Sequence, residues 1–301
     1  MNQAEFLRTL TENQHPMLDS IAAILTFLGN EEFYFLIVPI IYWCVQKQAG
    51  FRLFYIFLVS VTINAFLKIT YAIQRPIGVE GVHSLFISSA EVGSHYPNDS
   101  FPSGHAQGST TLWGYLAYLI SRPTFWVFAV CLILLISFSR IYTGLHWPTD
   151  VIAGIMIAVF ILIVAIRIQH FLSTIPAKAQ WSLAILIPLF FVAFFPEEEG
   201  AKYAGFLLGA GIGYLIEGQK VNMLISNRTV KKISAYAIGI IGLFALQIGL
   251  KFIFPEHIVF DFIRYSCIGL WGLLGAPYMF VKLGIYETNK DIQLMKGNVS
   301  V

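Results

Sequence analysis

From Trp147 to Phe171 the chain runs almost unbroken through apolar residues, with Asp150 near one end and Arg167 near the other. About 20 such residues suffice to cross the hydrocarbon core of a bilayer as a helix. Inside lipid the backbone must satisfy its own polar groups, which leaves only helices and closed barrels. Eight further runs share this character. The nine candidate spans are 33–46, 51–73, 104–120, 123–142, 147–171, 181–195, 202–217, 233–254 and 259–281, the first and sixth being short and drawing on flanking residues. Composition agrees: 57% of residues are hydrophobic and 12% charged, about half the charged share of a soluble domain. The expected fold is therefore all-α, a polytopic transmembrane helical bundle of about nine spans. Leu18–Leu28 is apolar but too short to span, and reads as an N-terminal interfacial helix lying on the membrane surface.

Three segments follow from this reading: 1–32 as the interfacial segment, 33–173 as a core, and 174–301 as a four-span extension. Every charged residue of chemical interest lies before residue 173. No basic stretch precedes an apolar core at the start, so no cleaved signal peptide is expected. Short tails without a retention signal lean toward a bacterial plasma membrane. The net charge of +2 argues against a nucleic-acid partner. Cys44, Cys131 and Cys267 fall inside apolar runs and read as buried side chains rather than a disulfide framework or metal site. Gly205, Gly209 and Gly213 recur every four residues on one helix face, which allows close helix packing, either within the chain or as a homodimer seam.

Loop charges set the orientation. With nine spans and the first residue outside, Lys47, Arg52, Arg122, Arg167, Lys178, Lys220, Arg228, Lys231, Lys232, Lys282, Lys290 and Lys296 all fall on the cytoplasmic side. Glu31, Glu32, Glu80, Glu91, Asp99, Glu197, Glu198, Glu199 and Glu256 fall outside. The membrane-end residues discussed next then face outward.

Lys68 sits late in the second span and Arg75 follows two helical turns later. Ionisable groups within a span are costly and commonly functional, although Lys68 could simply snorkel to the interface. Phe101-Pro102-Ser103-Gly104-His105 then opens an apolar helix. The exposed N–H groups of a helix start suit an anion, Gly104 permits close approach, and His105 adds an imidazole; an ordinary helix cap is the alternative. Arg140-Ile-Tyr-Thr-Gly-Leu-His146-Trp-Pro-Thr-Asp150 joins two apolar runs. His146 and Asp150 are four apart and share a helix face. A carboxylate there can hold one imidazole nitrogen and leave the other basic, as a histidine nucleophile needs. Arg140 offers a planar fork for phosphate. Alternatively, Asp150 is a cap and His146 a surface histidine. Together, three cations, a helix N-terminus and two histidines suit a phosphate monoester or diphosphate. No carboxylate cluster stands ready for Mg²⁺, so no metal or other cofactor is expected and the cations must neutralise the phosphoryl group.

The spacing Lys68-x6-Arg75-Pro76, Pro102-Ser103-Gly104-His105 and Ser139-Arg140-x5-His146-x3-Asp150 resembles the three signature motifs of the type 2 phosphatidic acid phosphatase superfamily. The resemblance implies that His146 is the nucleophile forming a phosphohistidine, that Asp150 orients it, and that His105 protonates the leaving oxygen. It implies that Lys68, Arg75, Ser103, Gly104 and Arg140 hold the phosphoryl oxygens, and that no metal is needed. Phe27-Leu-Gly29-Asn30-Glu31-Glu32-Phe33-Tyr34 is similar to the first span of sphingosine-1-phosphate phosphatases, and the nine-span count resembles glucose-6-phosphatase. The expected activity is hydrolysis of a lipid phosphate or diphosphate at the outer face, among membrane lipids. A phosphotransferase using the same intermediate is one alternative. A transporter is another, but its charges would not gather at a single membrane face.

Overall fold

The structure, a computed structural model, describes residues 2–85 and 96–288. In chain order the helices are α1 (Gln3–Thr11), α2 (Pro16–Phe27), α3 (Glu31–Ile40), α4 (Lys47–Tyr71), α5 (Gly104–Ile120) and α6 (Pro123–Tyr142). They continue with α7 (Pro148–Thr174), α8 (Ala177–Phe194), α9 (Glu198–Ile216), α10 (Thr229–Ile253), α11 (Ile258–Leu270) and α12 (Ala276–Lys282). Three π-helical turns, Ile41–Val45, Glu217–Val221 and Trp271–Gly275, interrupt or extend them. One two-residue antiparallel pair, Met223–Leu224 against Glu287–Thr288, is the strand structure among the described residues. Local chemistry sets the boundaries. Pro16, Pro123 and Pro148 occupy first-turn positions, where the missing N–H costs nothing. Gly144, at φ +64°, lets the chain leave α6.

Six helical stretches are long and apolar enough to cross a membrane: α4, α6, α7, α8, α10 and the continuous run Ile258–Lys282. A seventh arises if Pro16–Phe27 and Glu31–Val45, bent by 50° at their junction, form one broken span. Six, or seven with the broken span, of the nine expected spans are thus supported among the described residues; the runs at 104–120 and 202–217 fall outside the set, the one by its length and the other by its polarity. Helix α5 has 17 residues and carries His105, Gln107, Ser109, Thr110 and Thr111, all buried by protein. Helix α9 opens on Glu198, Glu199 and Lys202 and is buried along its glycine face. Glu91, Lys290 and Lys296 of the charge argument lie outside the described residues.

The chain divides into two compact units: Met1–Phe35 with Val59–His170, and Leu36–Leu58 with Phe171–Val301. The division differs from the three segments read from the sequence, since 1–35 joins the first unit and Leu36–Leu58 the second.

In the first unit α5 is the buried centre, with α6 packed along it and α2 against α6. Phe128, Leu134, Leu135, Phe138, Met156, Phe160 and Ile163 stay exposed on α6 and α7, the surface a lipid-facing helix presents. Met17, Leu18, Ile21 and Ile24 do the same on α2. The N-terminal helices are stitched to the loops above the bundle. Arg8 Nε donates to the Glu80 carbonyl at 2.6 Å. Gln14 Nε2 donates to the carbonyls of His83 (3.0 Å) and Tyr142 (2.9 Å). The Thr149 hydroxyl donates to Gln3 Oε1 at 3.0 Å.

In the second unit α9 and α11 pack closely. A Cβ at Gly205 would lie 2.3 Å from the Phe262 carbonyl oxygen, and one at Gly209 1.9 Å from that of Ser266. The small-residue face considered as a homodimer seam is therefore filled by α11 of the same chain. Lys47 Nζ pairs with the buried Glu217 at 2.9 Å.

Candidate active site

Four helix ends meet at one end of the first unit: the C-terminal ends of α4 and α6 and the N-terminal ends of α5 and α7. They bring together all eight residues singled out from the sequence. Ser103, His105, Arg140, His146 and Asp150 are buried, as is Arg75, while Lys68 at the end of α4 is half-buried.

His146 follows the Gly144 turn. Its Nδ1 lies 2.9 Å from the Ser100 carbonyl oxygen. A carbonyl can only accept, so Nδ1 carries the proton. Nε2 is then the lone-pair nitrogen, and Arg75 Nη1 donates to it at 3.1 Å. The imidazole is thus held as the tautomer whose Nε2 is basic. Its pKa lies well below the ordinary histidine value, first because of burial and then because Arg75, Arg140, Lys68 and His105 oppose another positive charge.

Asp150 sits in the first turn of α7 and does two things. Its Oδ2 accepts from the Trp147 N–H at 2.9 Å and from the Ser100 hydroxyl at 2.5 Å. The first contact is the reach-back half of a capping box, so the capping alternative describes part of its role. Oδ2 also lies 3.6 Å from His146 Nδ1. The sequence reading had Asp150 hold the ring directly. Here the hydrogen bond belongs to Ser100, and Asp150 acts on the ring through charge and through Ser100.

Arg75 is held from behind by Asp99, with Nε–Oδ1 at 2.7 Å and Nη2–Oδ2 at 2.8 Å. This bidentate pair aims Nη1 at His146 and at the Leu145 carbonyl, 3.1 Å away. At the start of α5, Ser103 Oγ accepts from the Ala106 N–H. A Cβ built on Gly104 would lie 3.4 Å from Asn64 Oδ1 and 4.0 Å from Lys68 Nζ. The missing side chain therefore leaves space beside the lysine. Asn64 Nδ2 donates to the Pro102 carbonyl at 3.3 Å and to Gln107 Oε1 at 2.8 Å, steadying the loop. His105 Nε2 lies 2.7 Å from Asn30 Oδ1. Arg140 Nη1 reaches Thr26 Oγ1 at 3.5 Å.

Two backbone features join these pieces. The Ser103 N–H donates to the Asp150 carbonyl at 3.0 Å. One turn further along α7, a Cβ at Gly154 would lie 2.7 Å from the Ser103 carbonyl oxygen. Glycine at that helical position lets the two N-termini approach. Asp99, Ser100, Asn30, Asn64 and Gly154 were not singled out as site residues from the sequence. Asp99 and Ser100 adjoin the Pro-Ser-Gly-His stretch and Asn30 lies in the stretch noted before the first span; Asn64 shares a face with Lys68. Only such adjacency could have flagged them. Among the described residues no group of three or more His, Cys, Asp or Glu side chains is placed to hold a metal ion; the site is a ring of cations and imidazoles.

A family model described as the PAP2 superfamily matches residues 49–173, and one described as the PAP2 superfamily phosphatase transmembrane extension matches residues 201–288. An undecaprenyl-diphosphatase of Sulfolobus acidocaldarius is 27% identical over 177 residues, covering 58% of this chain and 80% of that protein. A probable sphingosine-1-phosphate phosphatase of Dictyostelium discoideum is 25% identical over 228 residues, covering 67% of this chain and 54% of that protein. The chain thus spans about half the length of the latter. A crystal structure of Aquifex aeolicus LpxE aligns with a TM-score of 0.48 at 24% identity, over 54% of this chain and 93% of that one.

Proposed function

The chain belongs to the PAP2 superfamily, and from that premise we propose that it is an integral-membrane phosphatase that hydrolyses a lipid phosphate or diphosphate through a phosphohistidine on His146. The observation that carries the reading is the tautomer of His146. Its Nδ1–H is given to the Ser100 carbonyl, so the Nε2 lone pair stands among the cations that would hold a phosphoryl group.

The geometry supports the following steps. Lys68, Arg75, Arg140 and the α5 N-terminus with Ser103 and Gly104 bind the phosphoryl oxygens. His146 Nε2 attacks phosphorus, forming the P–N bond as the P–O bond to the lipid breaks. His105, as imidazolium, gives its proton to the departing oxygen. Water then attacks the phosphohistidine while His105 takes back a proton, and phosphate leaves as the P–N bond breaks. Asp150 at 3.6 Å stabilises the positive charge that the ring carries in the intermediate. The cations supply the charge stabilisation that phosphoryl transfer needs, so turnover should survive excess chelator. Tyr71 and Ile73, exposed just beyond Lys68, with Phe101 edge-on to Tyr71 at 5.4 Å, offer an apolar flank for a lipid tail.

The site is proposed to face away from the cytoplasm. In support, the ends of α6 and α7 remote from it carry Arg122 and Arg167. With Cys131 removed, a cysteine replacing Glu80 should react with an impermeant thiol reagent in intact cells, and one replacing Arg122 should not. The opposite pattern would reverse the orientation.

The mechanism is tested by quenching a reaction with phosphorus-labelled lipid phosphates. Wild-type protein should carry a base-stable, acid-labile phosphoryl group, and His146→Ala should carry none and release no phosphate. Phosphate release by folded His146→Ala would exclude the mechanism.

A further inference from the structure

We propose that Asn30 is a positioning residue that, with Gly29, holds His105 through Nε2 so that the leaving-group proton is exchanged at Nδ1. This rests on the reading of His105 as the general acid.

Asn30 Oδ1 lies 2.7 Å from His105 Nε2, and both side chains are buried, at 3% and 5% exposure. With the amide oxygen as the acceptor, Nε2 carries a proton whether the ring is neutral or charged. An amide oxygen does not itself take that proton, so Nε2 is a fixed anchor and proton exchange with the leaving group falls to Nδ1. The same device holds His146 by the other nitrogen, with the Ser100 carbonyl on Nδ1 and Nε2 left reactive. The two imidazoles of the site are thus fixed through opposite nitrogens, one as nucleophile and one as acid.

Gly29 makes the anchor reachable. A Cβ there would lie 3.0 Å from His105 Cδ2, 3.3 Å from its Cβ and 2.8 Å from Ile136 Cγ2. Glycine lets the α2–α3 turn lie this close to the ring; a Cβ there would push on His105 and Ile136. Asn30 also stands immediately before α3, where asparagine commonly serves as a helix cap. The two roles separate because serine caps as well as asparagine but is too short to reach His105.

The experiment compares an alkyl lipid phosphate with an aryl phosphate for wild type, Asn30→Ser, Asn30→Asp and Gly29→Ala in detergent. An aryl oxide leaves without a proton, so its turnover does not need the acid. Positioned general acids contribute about 10²–10⁴-fold. Asn30→Ser and Gly29→Ala should therefore lose about a hundredfold or more in kcat on the alkyl ester and only a few-fold on the aryl ester. Asn30→Asp, which keeps an acceptor in reach, should restore most of the alkyl turnover. Equal losses on both esters, in whichever of Asn30→Ser and Gly29→Ala folds, or alkyl turnover near wild type, would overturn the positioning role while leaving the phosphatase reading intact. Wild-type protein inert on both esters would overturn that reading and this proposal with it.

Discussion

Asp150→Asn separates the catalytic role of this residue from its capping role. In the fold, Asp150 Oδ2 accepts two hydrogen bonds, from Trp147 N–H and Ser100 Oγ–H. An asparagine oxygen can accept both, so the start of α7 should survive; the loss of a helix cap is worth about 1 kcal/mol even when complete. What the substitution removes is a full negative charge 3.6 Å from His146 Nδ1. At an effective dielectric constant of about 20, a unit pair at that separation interacts by about 4–5 kcal/mol. The ring gains its positive charge only as the P–N bond forms, so the loss falls on the transition state and the intermediate. It corresponds to about three orders of magnitude in rate. Substrate affinity should change little, because the cations remain. The assay is kcat and KM on a lipid phosphate beside a thermal melt in the same detergent. A kcat within tenfold of wild type, with an unchanged melt, would reduce Asp150 to a helix cap.

Other perturbations test the supporting frame. Gly154→Ala should force the Ser103 carbonyl away from α7, since a Cβ would sit 2.7 Å from it; kcat should fall at least tenfold, and wild-type turnover would show that the loop has room to yield. Asp99→Ala should cost about 3–5 kcal/mol, because it leaves the buried Arg75 without its carboxylate; a loss below about 1 kcal/mol in denaturant titration would mean something else holds Arg75. His146 gives a pH signature. The unfolded chain takes up its proton near pH 6.5, whereas the folded site, with the pKa depressed by burial and cations, does so only at lower pH. Its share of stability is therefore complete above about pH 6.5 and is lost as pH falls through the folded value. The acid limb of kcat/KM reports the free enzyme and should lie below pH 6.5. In kcat it should move upward, because a bound phosphate offsets the cations; an acid limb of kcat/KM at or above 6.5 contradicts the burial argument.

The motif residues were legible because helix ends and short turns transmit spacing directly. His146 and Asp150 share a turn, and Ser103 is a residue type that favours the helix cap it forms here. What holds those residues was not legible, for a physical reason. The partner of His146 Nδ1 is a backbone carbonyl 46 residues away, and a carbonyl leaves no trace in the identity of its side chain. Asn30 meets His105 across 75 residues, and Gly154 matters only because α5 starts beside it. The span count is supported only in part, for a different reason: α5, with 17 residues, and α9, with Glu198, Glu199 and Lys202 in its first turns, read as apolar runs in the sequence but fall outside the length and polarity of the stretches fit to cross a membrane.

The stitching of α1 and α2 onto the loops of the first unit bears on the order of assembly. Residues 3–15 leave the ribosome long before their partners: Glu80 lies 72 residues after Arg8, Tyr142 lies 128 after Gln14, and Thr149 lies 146 after Gln3. Until α6 and α7 have been inserted, the first helices lack their contacts to Tyr142 and Thr149 and the face of α6 on which α2 packs. Thr26 and Asn30, which contact Arg140 and His105, travel with them. The catalytic constellation can therefore close only after the fourth of its helix ends has been delivered: a nascent chain halted before α7 carries the first two motifs complete and the third without Asp150.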